Sequence, residues 1–272
     1  ATSQLVGFTP GGDEQTAQDG LNKSEIAFTL LYNTKNSYYN ATGGTQIQAM
    51  FPVSGGYLGG AYNLITPYVD VQHFKRDMWL SGGRNTWAFR WKGTHIIPFG
   101  KTATGEPMAP PFYDRYFVGG EWDLRGFYLR SVSPWAMITS PVLDLGGNPL
   151  IDPTSGLPLV QNQLIVVGGD TYTVGTVEYR IPIVGPLQVN LFSDIGSSLI
   201  LRKKDLVVFG PDTYIDLMEN TNNVLRMSTG AEVQFQLPVL NQPFRLIFAY
   251  NPIRLNTTVL VDGITYPLYE PK

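Results

Sequence analysis

No cysteine occurs anywhere in the 272-residue chain. Thiol nucleophiles, disulfides and cysteine-ligated zinc are thereby excluded. The absence fits an oxidising periplasm or cell surface, where a stray thiol is a liability, without fixing the compartment. Histidine is almost as scarce, with only His73 and His95. They fall on different strands of the pattern described below, with no serine or carboxylate at motif spacing, so the base-and-nucleophile arrangement of a hydrolase is missing and no enzyme activity is expected. Charged residues make up 15% of the chain, against roughly 25% in soluble domains. A net charge of −3 and the lack of any basic run offer nothing to a nucleic acid. No leader pattern opens the chain at Ala1, so it reads as a mature or internal segment. No apolar run approaches the roughly 18–20 residues of a spanning helix. That absence leaves a membrane β-barrel open, because its strands need only about 10 alternating residues each. Asp144, Asp152 and Asp170 lack an Asp-x-Asp-x-Asp-Gly loop, and the Gly-Gly pairs lack a phosphate-loop context, so no metal or cofactor is expected.

What the chain does contain is glycine (29), proline (20), 12% aromatics and a persistent period of two. Eight segments alternate: Glu25–Asn33, Thr45–Val53, Tyr62–Phe74, Thr86–Ile96, Asp170–Ile183, Leu187–Asp194, Leu225–Leu237 and Pro243–Pro252. Pro67 weakens the third or marks a bulge. In Thr86–Ile96, for example, Trp87, Phe89 and Trp91 alternate with Ala88, Arg90 and Lys92. No segment sustains a period of 3.6, so the fold class is all-β. Alternation suits a soluble sandwich with an apolar core, or a membrane barrel with its apolar face toward lipid and its polar face lining the lumen. Three features favour the barrel. The strands run about nine to thirteen residues, where soluble strands average about five to six. The polar face is rich in Gln, Arg, Glu, Asn and Thr. Aromatics gather at strand ends (Tyr32, Phe51, Phe74, Trp87, Tyr179, Phe235, Phe244, Tyr250), as interfacial girdles do. Tight turns at Gly185-Pro186 and Asn241-Gln242 alternate with long connections, the habit of an outer-membrane meander.

The expected organisation is a loop or truncated element over 1–23, strands over 24–97, a long loop over 98–168, strands over 169–253 and a terminal loop over 254–272. The long loop carries Tyr116–Arg130, YFVGGEWDLRGFYLR, a glycine-marked stretch with an arginine among aromatics. Long loops of this kind are where function concentrates. Eight strands alone close into a barrel whose lumen is filled by side chains. Either the loop stays outside or the strands belong to a larger barrel.

Phe117-x-Gly119-Gly120-x4-Leu124-Arg125-Gly126-Phe127 resembles the [VL]-R-G-[FY] loop of the BamA-type outer-membrane insertases. Pro111-Phe112-Tyr113 leads into the loop as in that family. Gly175–Pro182, Phe192–Gly196, Arg226–Pro238 and Pro243–Pro252 resemble the four strands that follow the loop, and Leu31–Lys35 with Gly43-Gly44 a strand pair ahead of it. The resemblance implies an antiparallel transmembrane β-barrel, of which these strands form about half, the second half of a sixteen-stranded wall. It implies that the extracellular loop folds inward, that Leu124, Arg125, Gly126 and Phe127 form a loop lock, and that Phe117, Gly119 and Gly120 support it. Arg125 is then expected to meet Glu178 and Asp194, which the alternation independently places on the polar face. The implied function is folding and inserting β-barrel proteins into the outer membrane of a Gram-negative-type bacterium. The implied partners are nascent barrel proteins, accessory assembly lipoproteins, periplasmic chaperones acting through POTRA domains, and outer-membrane lipid. The family's POTRA repeats, first barrel strands and final strand are not evident, so the chain reads as part of a larger protein. A two-partner-secretion or other polypeptide transport barrel shares the loop motif and stays open as an alternative, as do an outer-membrane enzyme and a soluble β-sandwich binding domain.

Overall fold

A computed structural model describes residues 22–38, 40–101, 108–144, 147–206, 212–236, 243–261 and 263–271. Eight long strands dominate: β1 Glu25–Asn33, β2 Gly44–Ser54, β3 Tyr68–Arg76, β4 Thr86–His95, β5 Thr171–Val184, β6 Leu187–Leu199, β7 Arg226–Gln236 and β8 Pro243–Ile253. Each pairs antiparallel with its neighbour in chain order, giving one meander from β1 to β8. Two-residue strands at Leu64–Ile65 and Ile97–Pro98 extend the sheet beside the end of β2. The sheet is open among the described residues, with β1 and β8 at its edges. No helix among the described residues is long and apolar enough to cross a membrane.

The register fixes which residues share a face. One inner row runs Gln72–Arg90–Thr176–Asp194–Ser228 across β3 to β7. Another runs Thr86–Arg180–Asn190–Glu232–Ile247 across β4 to β8. Opposite them, Phe28, Ile47, Phe89, Trp91, Leu191, Phe244 and Phe248 lie exposed on the other face. An apolar face turned outward and a polar face turned toward packed protein is the inverse of a soluble sandwich. The β5–β6 turn is tight. The connections at the opposite end, β2–β3, β4–β5 and β6–β7, are the long ones. Phe74 departs from the expected aromatic girdle: it lies on the polar face, buried with Ala41 and Ala88 and 5.1 Å beneath the Arg180 guanidinium.

Two regions without a clear strand pattern are in fact built. Trp135–Pro141 and Val160–Val166 from the β4–β5 connection join Tyr214–Leu217 from the β6–β7 connection in a three-stranded sheet. Short strands whose ladder partner comes from another connection leave little periodicity to read. Beyond β8, where a terminal loop is expected, Asn256–Val261 pairs with Ile264–Tyr269 as a hairpin. It packs Leu255, Val259, Val261 and Leu268 against Trp135, Met137 and Leu164, and it joins neither edge of the main sheet. Of the loop or truncated element expected over 1–23, residues 1–21 lie outside the described residues, as does the Asn241-Gln242 turn.

Candidate functional site

The β4–β5 connection returns over the polar face of the strands that follow it. Its base is tied by Ile96 N donating to Asp170 O at 2.7 Å, and by paired backbone bonds between Tyr116 and Gly169. A further pair, Val118 with Val132, narrows residues 116–132 into a tongue. The tongue has a small core of its own: Val118, Leu124, Phe127 and Val132 pack with Val174 of β5 and with Tyr172. Phe127 and Leu124 therefore anchor the tongue by burial, each worth about 1.5–3 kcal/mol when fully removed from water. Phe117 stacks edge-on against Phe112 at 5.4 Å and lies under the Arg130 guanidinium at 4.4 Å. Gly119 has φ +114°, and a Cβ there would come within 2.4 Å of Tyr128 O. Gly120, at φ +106°, is the second left-handed residue of the same turn. The glycine pair thus lets the tongue reverse direction where a side chain would collide.

Arg125 emerges from this turn 4% exposed. Its Nε and Nη2 each donate to Asp194 at 2.7 Å, a bidentate fork. Its Nη1 donates to Glu178 Oε1 at 2.8 Å and to Glu232 Oε2 at 3.2 Å. Its backbone N–H adds a further contact, to Asp194 Oδ2 at 3.2 Å. Phe192 underlies the guanidinium at 3.7 Å. Burial pulls this guanidinium down, but Asp194 above all, then Glu178 and Glu232, more than reverse the effect and hold it above the ordinary arginine range. Arg115 at the tongue's base shows the opposite balance. Burial pushes it down to about 10 because Asp170 and Asp205 offset only part of the desolvation.

The structure therefore brings together Arg125, Glu178 and Asp194. Gly126 sits beside them with φ +84°, where a Cβ would meet Asn251 Oδ1 at 2.5 Å and the Ala249 Cβ at 2.8 Å. Asn251 Nδ2 donates to Gly126 O at 2.9 Å. Sequence reasoning missed Glu232, the third carboxylate, and the arginines that share the set. Glu232 also accepts from Arg245 at 2.9 and 2.6 Å, and Glu178 pairs with Arg180 at 2.8 Å. The signal available was the shared polar-face alternation of β5 to β8. The histidines stand elsewhere. His73 faces Thr45 at 2.9 Å. His95 contacts Thr171 Oγ1 at 2.6 Å, and that hydroxyl donates to Asp170 rather than to the imidazole. Asp170 in turn accepts the backbone N–H groups of Leu201 and Arg202, joining two connections.

The Omp85 superfamily domain matches residues 6–259. The chain belongs to the Omp85 superfamily. Among solved structures it is similar to BamA from Haemophilus ducreyi lacking POTRA domains 1-3, at 18% sequence identity and a TM-score of 0.59. That match covers 90% of this chain and 41% of the other, so the chain spans less than half of that structure's length. The shared architecture is that of a BamA barrel, of which the eight strands form an open part. Omp85 proteins are outer-membrane β-barrel proteins. In this Omp85 chain the polar face is the one that carries the tongue.

Proposed function

We propose that this chain is the wall-and-loop portion of an outer-membrane insertase that folds and inserts other β-barrel proteins. The observation that carries the reading is Arg125 gripped by Glu178, Asp194 and Glu232 from three successive strands. It supports a loop lock: a tongue docked on the polar inner wall, tying the long extracellular connection to the strands that follow it. No covalent chemistry is involved. The lock holds a wall in shape against the strain of receiving an incoming strand at a sheet edge. The short turns then face the periplasm. The partners are nascent barrel proteins, with accessory lipoproteins and POTRA-bound chaperones delivering them, and outer-membrane lipid surrounds the wall.

The test is assembly of a client barrel into lipid vesicles by the full-length protein. Arg125→Ala is expected to slow client assembly several-fold while this barrel still inserts. Normal client assembly with Arg125, Glu178 and Asp194 all replaced would sink the lock. A cavity of about 470 Å³ under the tongue tip, lined by polar groups including Gln72, Arg90, Arg180, Gln234 and Arg245, favours a second reading as a polypeptide transport barrel. Passage of an unfolded polypeptide through the reconstituted protein, with no effect on client barrels, selects that reading.

A further inference from the structure

The residues after β4 do not hold the tongue alone. Lys92, on the polar face of β4, is 7% exposed. Its Nζ donates to Trp122 O at 3.1 Å and forms an ion pair with Asp123 Oδ1. Both partners belong to the tongue tip, two and three residues before Arg125. Trp122 also lies beneath the Arg245 guanidinium of β8, at 5.0 Å. The tip therefore touches the strand before the connection as well as those after it.

The charges explain why the tip docks in one sense. Beyond the connection, Glu178, Asp194 and Glu232 face Arg180 and Arg245, three anions against two cations, one negative charge in excess. Before the connection, Arg90 is satisfied by Asp70 at 2.6 Å, while Lys92 takes its ion pair from the tip. The tip carries the complement: Asp123 over Lys92 and Arg125 over the carboxylates. Reversed, the tip would set like charges together in a poorly solvated site, where repulsion and desolvation both count against it.

We propose that Lys92 and Asp123 form a second latch, and that with Arg125 they make a two-point charge code that orients the tongue tip across the junction of β4 and β5. Lys92 and Asp123 are positioning residues: they place the arginine rather than replace it. The inference deepens the loop-lock reading and rests on it for its functional consequence, but the geometry is tested separately.

The chain has no cysteine, so Glu121→Cys, with any cysteine outside this chain replaced by serine, carries a single nitroxide label at the tip of the full-length protein in lipid vesicles. The heat-modifiable gel shift verifies that each variant is a folded barrel. The label is expected to be immobile in the parent and several-fold more mobile with Asp123→Asn or Lys92→Met. Lys92→Arg, which keeps a cation and its donors, is expected to restore immobility. A label as immobile in Asp123→Asn and Lys92→Met as in the parent overturns the latch, as does failure of Lys92→Arg to restore it. Client assembly is measured on the same samples. A freed tip with undiminished assembly keeps the latch and overturns the loop lock's part in client assembly, whereas an unmoved tip overturns the latch whatever the assembly rate.

Discussion

Arg125 is a charge its surroundings would expel but for three carboxylates. Removing one partner of such a buried set costs about 3–5 kcal/mol, because another charge is left unpaired. Glu232→Ala is therefore expected to loosen the tongue as much as Glu178→Ala, since Glu232 serves both Arg125 and Arg245. Protease nicking of the tongue in detergent-folded protein measures it. Arg125→Lys is expected to rescue little, because a single ammonium cannot fork onto Asp194 while reaching Glu178. Gly126→Ala is expected to undock the tip even with every charge in place, for its Cβ would overlap Asn251 and Ala249. Undiminished tongue protection in Gly126→Ala would contradict the close packing described for that turn. Arg125, Glu178 and Asp194 are legible in the amino-acid sequence, through the motif resemblance and through strand alternation. Glu232 is not. Alternation says that it faces inward but not that it stands opposite Asn190, and only the β6–β7 register supplies that.

The strands are legible because each obeys one constraint along most of its length, apolar outward and polar inward. Leu191 on the outward face is 47% exposed. Leu191→Arg is expected to cost about 2–4 kcal/mol if it lies near the bilayer midplane. Gln72→Arg on the inward face, beside Asp70, is expected to cost far less. Urea unfolding from vesicles compares the two, and equal losses would reverse the face assignment. Phe74 escapes that reading because an aromatic at a strand end looks the same whether it meets lipid or stacks under an arginine. The strands within the connections escape it for another reason. They pair across sequence gaps and cover one another in patches, so neither face is uniformly wet or dry. The terminal hairpin is of this kind. Arg226, fully buried, holds Glu270 at 3.0 Å, and Glu270 also accepts the Leu255 backbone N–H at 2.6 Å. Glu270→Ala is expected to free the hairpin, with faster hydrogen exchange over 256–269 and unchanged exchange in β5 and β6.

At the scale of the whole molecule, Arg125 is held by three strands that must first pair with one another. Those strands pair in chain order, β5 and β6 through a two-residue turn, while β4 and β5 pair across the long connection that carries the tongue. Arg125 reaches its carboxylates across 53, 69 and 107 residues. Contacts of long sequence separation form late, because the loop they close must first give up its freedom. The grip on Arg125 is therefore a clock as well as a clasp. The wall acquires its heat-resistant gel mobility first, while the tongue is still wet and cleavable by trypsin at Arg125. Protection of that bond follows only once Arg125 is seated among Glu178, Asp194 and Glu232. In a time course of refolding, the interval between the two signals measures the docking of one loop on a wall already built.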